Sequence, residues 1–228
     1  MASNSRHDDG PCAVADHIAL DGPYLDPPES ALSDDLTELV LALADDELLM
    51  GQQHTNWLGL APFLEEDLAT ASIGQDEIGH ARALYAVVWP GLDSDDRDAL
   101  VVRRRPAQWR SAALTEIDGR PWERHLVRHW LYDRAEPARW TEIAEAIPAL
   151  RPLADKVLIE EAFHRRHADD LVDRLRRGSD DARRRIDTEL EQLEPLLLQP
   201  DRRTRHAHFA ELHGLMLEVF RFDPAARW

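Results

Sequence analysis

The chain has 228 residues, 43% of them hydrophobic, with a formal net charge of −17, enough for one substantial core where two domains would each be small. That acidic balance repels nucleic-acid phosphates and anionic lipid headgroups, so neither nucleic acid nor a membrane surface is expected as a partner. A single cysteine, Cys12, excludes an intrachain disulfide framework and a thiolate metal cluster, and it fits a reducing cytoplasm.

In chain order, residues 1–32 are rich in Pro, Asp, Ser and Gly and read as an irregular N-terminal arm. They lack the basic-then-apolar layout of a secretory signal, and no run in the chain approaches the ~20 apolar residues of a membrane span. Residues 33–228 read as one helical-bundle domain. Ser33, followed by Asp34 and Asp35, caps a first helix whose stripe is Leu36, Val40, Leu43, Glu47, Met50, His54 and Trp57, ending near "LGLAP". Pro62 opens a second helix running to about Trp89. A crossover follows, with short helices expected near 94–104 and 106–117. A third long helix starts near "GRPWE" and reaches about Ile147, with a kink expected at Pro137. The fourth runs from about Leu150 to Arg177 and stops at Gly178. Two amphipathic helices, about 179–198 and 203–221, complete the chain. No stretch alternates with period two, so the fold class is all-α.

Two of the long helices carry the same motif. "QDEIGH" places Glu77 and His80 at i, i+3, and "EEAFH" does so for Glu161 and His164. Each has an acid immediately before its glutamate, Asp76 and Glu160, which either orients a ligating imidazole or lies on a solvated face. A Glu-x-x-His from each of two helices and one carboxylate from each of two others is the ligand pattern of ferritin-like di-iron and di-manganese four-helix bundles. Glu47 is the lone acid of the first apolar stripe. Asp133 is the lone acid of the third, Leu126, Trp130, Asp133, Pro137, Trp140, Ala144 and Ile147. Glu136, one turn along, remains an alternative to Asp133.

Antiparallel hairpins bring residues equidistant from a turn to one height. Glu47 and Glu77 have their midpoint at Pro62, and Asp133 and Glu161 have theirs at Ile147, so both pairs lie roughly 20 Å from their turns at 1.5 Å per residue. The segment from His80 to Asp133 then serves as the long crossover. Burying four carboxylates without a cation costs several kcal/mol each, which a bound metal pair would reverse. The expected ligands are Glu47, Glu77, His80, Asp133, Glu161 and His164. This set suits two iron ions, with manganese as the alternative. Their chemistry would be reduction of O2 and oxygen transfer to an organic substrate, for which small residues at Thr70 and Gly74 leave room. The sequence has no flavin or nicotinamide motif, so a separate reductase is expected. The arginine runs at 103–105 and 183–185 read as solvated faces with acidic neighbours, with docking of an anionic substrate tail as the alternative.

Residues 41–85 ("LALADDELLM…ARALY") and 158–175 ("LIEEAFHRRHADDLVDRL") resemble the first hairpin and fourth helix of the phenylacetyl-CoA epoxidase A and C subunits. In that family the A subunit holds the di-iron site and the C subunit keeps the fold without all its ligands. The resemblance implies a helical partner subunit and an aromatic or acyl-CoA substrate. By ligand content this chain is similar to the catalytic subunit. A ferroxidase or peroxide-consuming protein, and a metal-free scaffold, are the competing readings.

Overall fold

The computed structural model describes residues 24–197. Among them are seven α-helices and no strand: α1 (Asp34–Thr55), α2 (Leu64–Val88), α3 (Ser94–Val102), α4 (Ala113–Glu116), α5 (Trp122–Ala146), α6 (Arg151–Arg176) and α7 (Asp180–Leu197). The helix expected at 203–221 lies outside the described residues, as does most of the N-terminal arm. No described helix is long and apolar enough to cross a membrane.

The four long helices form two antiparallel hairpins, α1/α2 and α5/α6, which pack into an all-α ferritin-like bundle. Acids in the first turns of α1 (Asp34, Asp35) and α2 (Glu65, Glu66, Asp67) face the positive ends of their helix dipoles. Helix α2 begins two residues after Pro62, because Phe63 is extended. Helix α5 runs on through Pro137. A short hairpin needs close backbones, and Gly51 with Gly74 supplies them. A Cβ on Gly51 would lie 2.7 Å from Ile78 Cγ1 and 2.9 Å from the Gly74 carbonyl oxygen. Gly74 is therefore filled by α1, with its own Cβ position 3.0 Å from His54 Cβ, and leaves no room for a substrate there.

The crossover departs from expectation between 106 and 117. A single 3-10 turn (Pro106–Gln108) and the one-turn α4 replace the expected helix. Two side chains of α1 explain the break: Asp45 accepts from the Arg110 backbone N–H (2.6 Å) and Asp46 from that of Ala112 (2.6 Å). Backbone donors held by carboxylates are not free to continue a helix. Arg104, expected on a solvated face, is fully buried, donating to Asp45 at 2.5 Å beside the Tyr85 hydroxyl. The run at 183–185 is exposed and paired with Asp180, Asp181 and Glu123, as expected.

Two apolar clusters fill the bundle. One gathers Val40, Leu43, Leu84, Val88, Trp140, Ile143 and Val157. The other gathers Met50, Leu126, Leu131, Leu171, Ile186 and Leu193, with α7 closing it. Between them lies a polar layer.

Candidate metal centre

Helical periodicity turns one acid or imidazole per position into that layer from all four long helices. Glu47 of α1, Glu77 and His80 of α2, Asp133 of α5, and Glu161 and His164 of α6 are all buried, the carboxylates completely. The structure brings all six together. It also adds Glu136, fully buried on α5. Three groups offer one ligand atom each within 4.8 Å of one another: Glu47, Glu77, His80 and Glu136; Glu77, Glu161 and His164; and Glu77, Asp133, Glu136 and Glu161. Glu77 belongs to every group, so it sits at the centre, with an imidazole to either side.

The height argument explains Glu136. The turn between Ala146 and Arg151 is centred between Pro148 and Ala149, which is the midpoint of Glu136 and Glu161. A turn centred at Ile147 favours Asp133 alone. Asp133 reaches the layer one turn lower, on the side of His164.

The imidazoles are held crosswise. His80 Nε2 donates to Glu160 Oε2 (3.1 Å) and His164 Nε2 to Asp76 Oδ2 (3.3 Å). The acid preceding each motif's glutamate thus fixes the other motif's ring. Each Nδ1 then faces the carboxylates, 3.3 Å from Glu47 Oε2 for His80 and 3.1 Å from Glu161 Oε1 for His164. The Trp140 indole N–H lies between Glu47 Oε1 (3.2 Å) and Glu136 Oε1 (3.0 Å) and orients both. Lys156 donates to both oxygens of Glu160.

The layer is short of positive charge. Among the described residues no donor hydrogen-bonds either oxygen of Glu77, either of Glu161, or Glu136 Oε2. Asp133 Oδ2 lies 2.6 Å from His129 Nε2 but without hydrogen-bond geometry. Burial, reinforced by Glu47 and Glu161, pushes the Glu77 carboxyl well above the usual range, and burial with Glu161 does the same to Glu136. Burial also acts to raise Glu47, but hydrogen bonds from Glu77, Glu136 and His80 outweigh it and hold Glu47 at about 2. Burial opposes the charge on His164, yet Glu161, Asp133 and Asp76 lift it to about 9. Without an ion, the layer keeps its charge down by retaining protons. Orphaned buried oxygens facing two aligned imidazole nitrogens fit a pair of divalent cations, which oxygen and imidazole donors accept without thiolates.

Neighbouring acids make the contrast. Asp45 is satisfied by Arg104, the Tyr85 hydroxyl (2.6 Å) and the Arg110 N–H. Asp46 is satisfied by Arg139 (2.7 Å), the Thr115 hydroxyl and the Ala112 N–H. Both are buried yet structural, and neither stands out in the stripe because their partners lie largely in the crossover. Below the layer His54 packs edge-on against His125 and His129, and burial and those neighbours push it well below its usual value. His167, partly exposed, pairs with Glu66 at 3.1 Å.

Two antiparallel hairpins joined by a long crossover, with a Glu-x-x-His pair on the second helix of each, define a ferritin-like carboxylate-bundle protein. Residues 25–218 match the family described as phenylacetic acid catabolic protein, and the chain belongs to that family. It is similar to the C subunit of the 1,2-phenylacetyl-CoA epoxidase of Escherichia coli (strain K12), at 31% identity over 146 residues. That match covers 64% of this chain and 59% of the relative.

Proposed function

We propose that this chain is an O2-activating oxygenase subunit of the cytoplasm that holds two iron ions. Glu47, Glu77, His80 and Glu136 would hold one ion, and Glu77, Glu161 and His164 the other, with Asp133 close to Glu77, Glu136 and Glu161. The observation that carries this reading is the set of buried carboxylate oxygens with no donor among the described residues, gathered around two imidazoles whose Nδ1 atoms lie 3.7 Å (His80) and 3.1 Å (His164) from Glu161 Oε1. When bound, the ions would supply reduction of O2 and transfer of one oxygen atom to an organic substrate, with electrons from a separate reductase.

The protein's part is positioning and exclusion of water. Glu160 and Asp76 keep the imidazole rings in one tautomer and orientation. Trp140 aims Glu47 and Glu136. The two apolar clusters close the layer above and below, so charges there interact at low dielectric. Family membership supports an aromatic or acyl-thioester substrate and a related helical partner subunit.

The likeness to a C subunit favours a second reading, a scaffold without metal. Anaerobic Fe(II) titration of the apoprotein separates them: the oxygenase reading expects about two ions per chain, and fewer than about one per chain sinks it. O2 uptake with reductant, indifferent to every aromatic acyl thioester offered, would instead indicate a ferroxidase.

A further inference from the structure

The buried layer needs a way in. Among its donors the carboxylates are completely enclosed, whereas His80 and His164 retain 3% and 4% exposure. His164 reaches the outside at the seam between α2 and α6, and His80 lies behind Glu160 of the same seam. The hairpins α1/α2 and α5/α6 are packed along their lengths, but α2 and α6 meet only over a short stretch. A cleft of about 310 Å³ lies at that seam, lined by Ala69, Ser72, Asp76, Glu160, Phe163 and His164.

We propose that the α2–α6 cleft is the port through which a divalent cation enters the buried layer, with Asp76 as the carboxylate it meets first. This rests on the metal-centre reading above. Size permits it, since a cation with six waters occupies roughly 180 Å³ at ~30 Å³ per water. Its wall is largely apolar (Ala69, Ile73, Phe163), but the charged and imidazole groups set into it, Asp76, Glu160, His164 and His167, are all cation ligands, on a chain whose net charge of −17 draws cations. Of the two acids Asp76 is the more open, because Glu160 is already held by Lys156. Behind Asp76 stands His164, whose Nδ1 lies 3.1 Å from Glu161. An ion exchanging its waters in that order passes from solvent to the layer across one imidazole. Phe163, 67% exposed, stands at the rim.

The test blocks the port after folding. Ser72, exposed on α2, is replaced by cysteine (Ser72→Cys) in a Cys12→Ser background, and the folded apoprotein is labelled with a bulky maleimide. Co(II) is mixed anaerobically and its visible absorption followed by stopped flow. The labelled protein is expected to reach the same cobalt stoichiometry as the unlabelled one at a rate at least ~10-fold lower, and Ser72→Trp to behave likewise. The same label on Ser94→Cys, exposed on α3, is expected to leave the rate unchanged. Labelled Ser72→Cys loading at the unlabelled rate overturns the port, as does equal slowing by the Ser94→Cys label. An unmodified protein that takes up no cobalt defeats the metal-centre reading itself, a result distinguishable from both.

Discussion

Glu47 is the last of three consecutive buried acids, and what surrounds each of them decides its role. Asp45 and Asp46 are saturated with guanidinium, hydroxyl and backbone donors. Among the described residues Glu47 meets only Trp140, His80 and other carboxyls. In the apoprotein the site therefore limits its charge by holding protons, and the sign of its pH dependence follows. His164 is lifted from 6.5 to about 9, so its folded form holds a proton that the unfolded form has released. Glu77 and Glu136, also raised, act in the same direction. The stability that His164 contributes is complete below pH 6.5 and is lost as pH rises toward 9, by roughly 3 kcal/mol for this group alone. Urea unfolding of the apoprotein at pH 6.5 and 9 checks this, and a midpoint that rises with pH contradicts it. Glu136→Gln is expected to weaken the His80-side position and Asp133→Asn the His164-side one. Stepwise cobalt titrations that lose the same step in both variants would reject that division.

At the scale of elements, what is legible in the sequence depends on how far away each side chain's partner sits. The two Glu-x-x-His pairs and Glu47 are visible because helical period alone sets their direction. Glu136 stands in the sequence only as an alternative to Asp133, because its height depends on where the α5/α6 turn is centred, a matter of one and a half residues near Pro148. The crossover is least legible. Its expected helix at 106–117 is undone by Asp45 and Asp46, which lie far upstream, and Arg104 is drawn inside by the same Asp45. Removing that aspartate's charge, as in Asp45→Asn, leaves Arg104 buried without its counter-ion and is expected to cost about 3–5 kcal/mol in chemical unfolding. The Gly51/Gly74 contact is a second case of an element fixed by its neighbour. Gly51→Ala, which drives a methyl group into Ile78 and a backbone carbonyl, is expected to destabilise by about 1–3 kcal/mol. Calorimetry giving a stability equal to or above the parent's would show that α1 and α2 can separate without loss.

For the whole molecule, a polar layer between two apolar clusters means that folding and the proposed ion binding would share one free energy. An ion that binds only the folded chain stabilises it by about 4 kcal/mol when free ion exceeds Kd by ~1,000-fold. Thermal unfolding with and without anaerobic Fe(II) is expected to show a Tm several degrees higher in the loaded protein. An unchanged Tm at saturating iron would mean that the layer holds none.

The crosswise clasp of Asp76 on His164 and Glu160 on His80 has a consequence for inheritance. Each hairpin supplies the ring of its own half and the acid that steadies the other, so neither half is self-sufficient. A lineage that erodes one motif loosens the imidazole of the other in the same step. Selection to keep the second half weakens as soon as the first is damaged. Descendants of such a chain are expected to retain both motifs or to have shed both, with few lasting intermediates.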